Sequence, residues 1–168
     1  MKPPYPKELN EALKNICKGE MTGHEYVQIL ENPDLTSDFI RQRLASKRTW
    51  YEQNQKECKA RENESWQDRI LRVVYDGNLG IKVPQDGQLV YSKGALLIID
   101  WRSWCPVLLY CAHTGQRSVP VCSVLYHMQL QYLLSLVLPG VLFTRDYSKI
   151  RPNSCCCREV IFYEHEEE

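Results

Sequence analysis

The chain has no excess charge of either sign: 21 lysines and arginines stand against 21 aspartates and glutamates in 168 residues. No long-range field therefore draws it onto nucleic acid or an anionic membrane, which argues against nucleic acid as its main partner. It lacks a glycine-rich phosphate loop, an HExxH pair and a GxSxG elbow, so the common templates for phosphoryl transfer, zinc proteolysis and serine hydrolysis are missing. Internal repeats are absent as well. The opening MKPPYPKELNEALK never becomes an apolar core, so no secretory leader is predicted. Without an export route, the eight cysteines read as reduced thiols or metal ligands rather than a disulfide framework. The longest uncharged run, Ser118 to Thr144, is interrupted by His127, Gln129, Gln131 and Pro139-Gly140. It predicts a buried helix in a globular core and no membrane span.

What is present divides the chain near residue 68. Residues 1–68 are dense in charge and read as a helical N-terminal region. Residues 69–168 read as a cysteine-rich α+β core with an acidic tail, EHEEE. In the first part Pro6 suits a helix start, and Leu9, Leu13, Ile16 and Cys17 recur at helical spacing before Gly19. Thr22-Gly-His-Glu25 has the form of a capping box ahead of Tyr26, Val27 and Leu30, and Asn32-Pro33 ends that helix. A third helix is predicted from about Thr36-Ser37-Asp38. Its continuation beyond Trp50 is so polar that it reads as a solvated helix end or a linker.

In the second part RILRVVYDG, GIKVP, QLVYS, ALLIIDW, CPVLLYCA and REVIFY are short β-branched or apolar runs separated by Gly, Pro and Asp. They read as strands, with Asp76-Gly77 and Asp86-Gly87 as turns. Ser118 and Pro120 can cap and start one long apolar helix that ends at Pro139-Gly140. The expected fold class is α+β: N-terminal helices, then an antiparallel sheet packed on one long buried helix.

The chemistry-bearing residues gather in the second part. Cys105, Cys111, His113 and Cys122 form a Cys3His set that could hold zinc, since zinc takes four soft or borderline ligands in a tetrahedron. The spacing matches no CxxC-type pattern. If CPVLLYCA is an unbroken strand, Cys105 and Cys111 share a face but lie about 20 Å apart. One ion could then bridge them only across a bend at Cys105-Pro106. Buried thiols that simply fill space fit the same residues, because free cysteine is among the most buried residue types. Cys111 and His113 could touch as nucleophile and base, but no third group orients them, and the sequence predicts no enzyme. The triplet Cys155-Cys156-Cys157 shows no preferred partner. A basic stretch with aromatics, Arg41, Arg43, Lys47 and Arg48 beside Trp50 and Tyr51, offers the alternative of a zinc-stabilised nucleic-acid-binding regulator.

One string carries a family likeness: Leu71-Arg72-x-x-Tyr75-Asp76-Gly77-x-x-Gly80-x-x-Val83-Pro84. It continues through Tyr91-Ser92 and Tyr110-Cys111-Ala112 to Cys122 at matching separation from Cys111. Over about residues 69 to 138 the chain resembles the adenoviral early-region 34-kilodalton protein family. The resemblance implies a non-enzymatic adaptor of the host nucleus and cytoplasm. Such an adaptor pairs with a second viral early protein and recruits elongins with a cullin, so that a ubiquitin ligase degrades host proteins. It also implies zinc, with Cys111 and Cys122 as the matched ligands. The family's arginine-rich helix is here SVLYHMQLQYLLSLVL, without arginine. An adaptor of this kind needs an elongin-binding box, and Ala12-Leu13-Lys-Asn-Ile-Cys17 fits that form. Leu13 and Cys17 fall at i and i+4 on one helix face, where a partner pocket could take both. The same residues would also serve as an ordinary core stripe. A second stretch, Leu130 to Pro139, is similar to the elongin box of lentiviral Vif proteins, but its pattern predicts burial.

Overall fold

A computed structural model describes residues 33–103, 105, 108, 111, 112 and 115–164. The two helices expected before residue 33, the box residues Ala12, Leu13 and Cys17, His113 and the last tail residues lie outside the described residues.

The expected third helix forms as α1, Pro33–Gln53, with Asp34 in the first turn where the helix dipole favours an anion. Its end is anchored: Trp50 and Tyr51 pack on the core, and Arg48 Nε donates to Tyr132 Oη at 3.0 Å. The polar stretch that follows is not a free linker. It makes α2, Gln55–Cys58, with Cys58 buried. Arg72 then pins this stretch, donating to the carbonyls of Glu57 and Lys59 at 2.6 and 3.0 Å while pairing with Glu64 at 2.6 Å.

RILRVVYDG, expected as a strand, is helical. Ser65 caps α3, Trp66–Ile70, accepting from the Asp68 amide at 3.1 Å, and the helix continues as a π-helical segment, Leu71–Leu79. Ile70, Val73 and Val74 are all buried, which is the i, i+3, i+4 spacing of a helix rather than strand alternation. The wider π turn brings Tyr75 inward as well. Gly80 closes the segment at φ 70°. Asp76-Gly77 therefore lies inside a helix and is no hairpin turn. GIKVP is not a strand either: its half-buried Ile81 and Val83 lead into a turn in which Asp86 Oδ2 accepts from the Lys82 amide at 2.8 Å.

QLVYS, ALLIIDW and REVIFY do form strands. The sheet has β1, Gly87–Lys93; β2, Leu96–Trp101; β3, Leu142–Arg145; and β4, Cys157–Phe162. All pairs are antiparallel, in the order β1-β2-β4-β3. Gly87 stands opposite Trp101, where an added Cβ would come within 2.7 Å of the Asp100 carbonyl and the indole ring. The fold is α+β.

The expected single helix is two: α4, Ser118–Leu125, and α5, His127–Val137, with Tyr126 between them at φ −107°. Ser118 does not cap; its hydroxyl donates to the Arg151 carbonyl at 2.7 Å. Leu130, Leu133, Leu134 and Val137 of α5 share one core with Leu97, Ile99, Trp101, Phe143 and Ile161 of the sheet and with Ile70, Val74 and Tyr75. The opposite face of the sheet carries Leu96, Ile98, Val160 and the more exposed Phe162 and Leu142. Among the described residues no helix is long and apolar enough to cross a membrane.

Candidate functional site: a buried thiol cluster beside an ion pair

The inner face of the sheet ends in charge. Glu159 of β4 is 1% exposed and receives three donors: Tyr75 Oη at 2.5 Å, Trp101 Nε1 at 3.1 Å and Arg145 of β3 at 2.6 Å. The Arg145 guanidinium also lies 4.3 Å over the Tyr126 ring. Taking two charges out of water is tolerable only with such saturation of hydrogen bonds. It is not quite complete, since the buried Arg145 Nε and His127 Nδ1 have no hydrogen-bond partner.

Against this pair lie the thiols. The strand expected for CPVLLYCA does not form at the residues described there: Leu108, Cys111 and Ala112 are helical. Cys105 lies close enough to Cys111 to raise its thiol electrostatically. Burial does more, and pushes Cys111 up to about 11. Cys122 of α4 is pushed up to about 12, first by burial and then by Cys105, Cys111 and Cys157, with Arg145 opposing. Cys105, Cys111 and Cys122 thus lie within electrostatic reach of one another.

Cys157, which sequence reasoning left among an unassigned triplet, joins the same cluster. The signal was available: alternation along REVIFY puts Cys157 on the inner face with Glu159 and Ile161. Arg151 holds it, donating to Cys157 Sγ from the backbone amide at 3.5 Å and from Nε at 3.3 Å. The same arginine reaches the Ser103 carbonyl at 2.7 Å. Cys156 turns toward Asp100, whose carboxylate is held by Arg158 at 2.7 and 2.8 Å, and Cys155 is exposed.

The donor chemistry of Cys105, Cys111 and Cys122 suits a soft or borderline ion such as zinc. Among the described residues, no three Cys, His, Asp or Glu side chains already stand in an arrangement that could hold a metal. With Cys111 and Cys122 raised so far, both are thiols at neutral pH, a poor state for a nucleophile.

The other sequence candidates resolve differently. The basic stretch of α1 is engaged within the molecule: Arg41 pairs with Asp38 at 3.2 Å, Lys47 donates to Asn78, and Arg48 bonds Tyr132 and lies 3.7 Å from Glu52. In the stretch Leu130 to Pro139, Leu130, Leu133, Leu134, Val137 and Leu138 are all buried.

No protein-family model matches the chain, and no curated protein or solved structure does either.

Proposed function

We propose that the chain is a non-enzymatic viral early regulatory protein. In this reading it is a zinc-stabilised adaptor that recruits a host elongin-cullin ubiquitin ligase, in the host nucleus and cytoplasm, to degrade host proteins. The observation that carries the adaptor part is the uncovered face of the sheet. Leu142, 61% exposed, stands in register with Phe162, and Phe162 in register with the half-buried Leu96, so an apolar row crosses three strands on the outer face and is exposed at Leu142 and Phe162. Such a row suits another protein's surface better than a small polar substrate. The choice of elongins, of a cullin and of a second viral early protein as partners comes from the likeness over residues 69 to 138. The buried, protonated thiols favour a structural role for the cysteines over catalysis. The nucleic-acid alternative gains nothing from α1, whose cations serve intramolecular contacts.

The test is capture of purified elongin B–C by the full chain. Binding that is lost in the Leu13→Ala, Cys17→Ala double variant supports the reading and assigns the box. Absence of binding by the unaltered chain overturns it.

A further inference from the structure

The outer face of the sheet has a charged end. From Arg102 to Arg158 the chain holds six cations and one acid, Asp146, although as a whole it is neutral. Folding brings Arg102, Arg117, Lys149, Arg151 and Arg158 to one place. The Arg158 amide donates to the Lys149 carbonyl at 2.9 Å; the Arg151 side chain reaches the carbonyl of Ser103, next to Arg102; and the Arg151 carbonyl accepts from Ser118, next to Arg117. All lie where β2 finishes and β4 begins. Among the described residues only Arg158 of this group makes an ion pair, with Asp100. The other carboxylates nearby are occupied, Asp146 by Ser148 and Asp86 by the Lys82 amide. Arg102 and Arg117 are exposed and Lys149 is half-buried.

Apolar rows begin beside these cations. Arg158, Val160 and Phe162 alternate along β4 with the buried Cys157, Glu159 and Ile161, so they share the outer face. Val160 stands in register with Ile98, and Ile98 with Tyr91, 46% exposed. This row lies between Arg158 and the row through Phe162 and Leu142. Four steps of strand, about 13 Å, thus lead from a cluster of cations across two rows of apolar side chains.

We propose that this face docks an acidic, amphipathic segment of a partner protein. Large apolar side chains of the segment lie on the Val160 and Phe162 rows, and its carboxylates meet Arg102, Lys149 and the arginines beside them. A guanidinium fork matches a carboxylate, and cations at the rim of an apolar patch select partners of opposite charge. Nucleic acid fits less well. Its phosphates repeat along a strand, whereas these cations stop at one end and an apolar surface follows. The inference rests on the adaptor reading, for which it names the chemistry of the protein that the face takes.

The experiment is selection of a random dodecapeptide library, displayed on phage, against the full chain. Affinities of the selected synthetic peptides are then measured by fluorescence anisotropy. Peptides that join a run of Asp or Glu to large apolar residues, and that bind more weakly as salt rises, are the expected result. The double variant Arg102→Glu, Lys149→Glu should weaken them at least about tenfold, and so should Leu142→Asp. Arg41→Glu, on the exposed part of α1, should leave them unchanged. A library that returns no binders, or binders without acidic residues, overturns the assignment. So does displacement of the peptides by a single-stranded oligonucleotide that binds more tightly than they do. A dimer in sedimentation that dissociates in Leu142→Asp also overturns it, because a second copy, with Glu164 of one chain near the cations of the other, then fills the face. Library composition and salt dependence are read on unaltered protein, so they decide the matter even if a variant does not fold. Elongin B–C capture by the same preparation separates the two ideas. Capture without selected peptides removes the face and leaves the adaptor, and acidic peptides without capture do the reverse.

Discussion

The side chain of Gln131 in α5 takes the place of a missing strand beside Phe143 of β3. Its Oε1 accepts from the Phe143 amide at 2.7 Å, and its Nε2 donates to the Val141 carbonyl at 2.9 Å. A carboxamide presents the same donor and acceptor pair as a peptide group, so one glutamine satisfies an edge that would otherwise be open to another chain. The opposite edge, β1, relies on a register shift between Leu89 and Tyr91 instead.

Gln131→Ala should therefore destabilise the fold by about 1–3 kcal/mol, the cost of leaving a backbone donor and acceptor short of partners. Hydrogen exchange at the Phe143 amide should accelerate with it. Gln131→Glu is the sharper probe, because a carboxylate can still accept from Phe143 but repels the Val141 carbonyl. It should fall below wild type in urea midpoint, and equal midpoints would sink the account.

Arg145 and Glu159 form a buried pair whose members are each costly alone. Glu159→Ala leaves the guanidinium uncompensated and strands the donors of Tyr75 and Trp101. A loss of about 3–5 kcal/mol is expected. The double change Arg145→Met, Glu159→Met removes both charges and should recover part of that loss. Chemical denaturation of the three proteins measures it, and a double variant no better than Glu159→Ala alone would contradict it.

Much of this was legible beforehand, and the failures have a common cause. ALLIIDW and REVIFY alternate along one buried face, so their strand character is written locally, whereas QLVYS is exposed throughout and is legible from its β-branched and aromatic residues alone. RILRVVYDG and CPVLLYCA misled because β-branched and apolar runs fit a buried helix as well as a strand. The cue in the first case was Ser65-Trp-Gln-Asp68, a cap four residues ahead of the run. The break at Tyr126 was not readable, since no Gly or Pro marks it, and the Arg145 that lies over its ring comes from a strand nineteen residues later. Nor was the partner of Cys157, because Arg151 gathers its neighbours only after folding.

Acid should act through Glu64. Its hydrogen bonds and ion pair with Arg72 hold its carboxyl well down, from 4.5 to about 2. A carboxyl depressed in the folded state contributes stability that is present above the unfolded value and is lost as pH falls through the folded one. The contribution is thus full above about pH 4.5 and gone near pH 2. Arg72→Gln should be less stable than wild type at pH 7, and the gap in urea midpoint should narrow across that window. A gap constant from pH 7 to pH 2 would assign Arg72 a purely packing role.

Thiol reactivity should follow burial. In metal-free protein Cys155 is exposed, while Cys111 and Cys122 are buried and raised to about 11 and about 12. Iodoacetamide should label Cys155 first. Only the thiolate attacks, so the rate at Cys111 should rise about tenfold per pH unit above neutrality. Peptide mapping of partially alkylated protein at pH 7 and pH 9 reads this order directly. Rapid labelling of Cys111 at pH 7 would mean that its thiolate is stabilised by a partner outside the described residues, and it would reopen thiol chemistry as a function of this cluster.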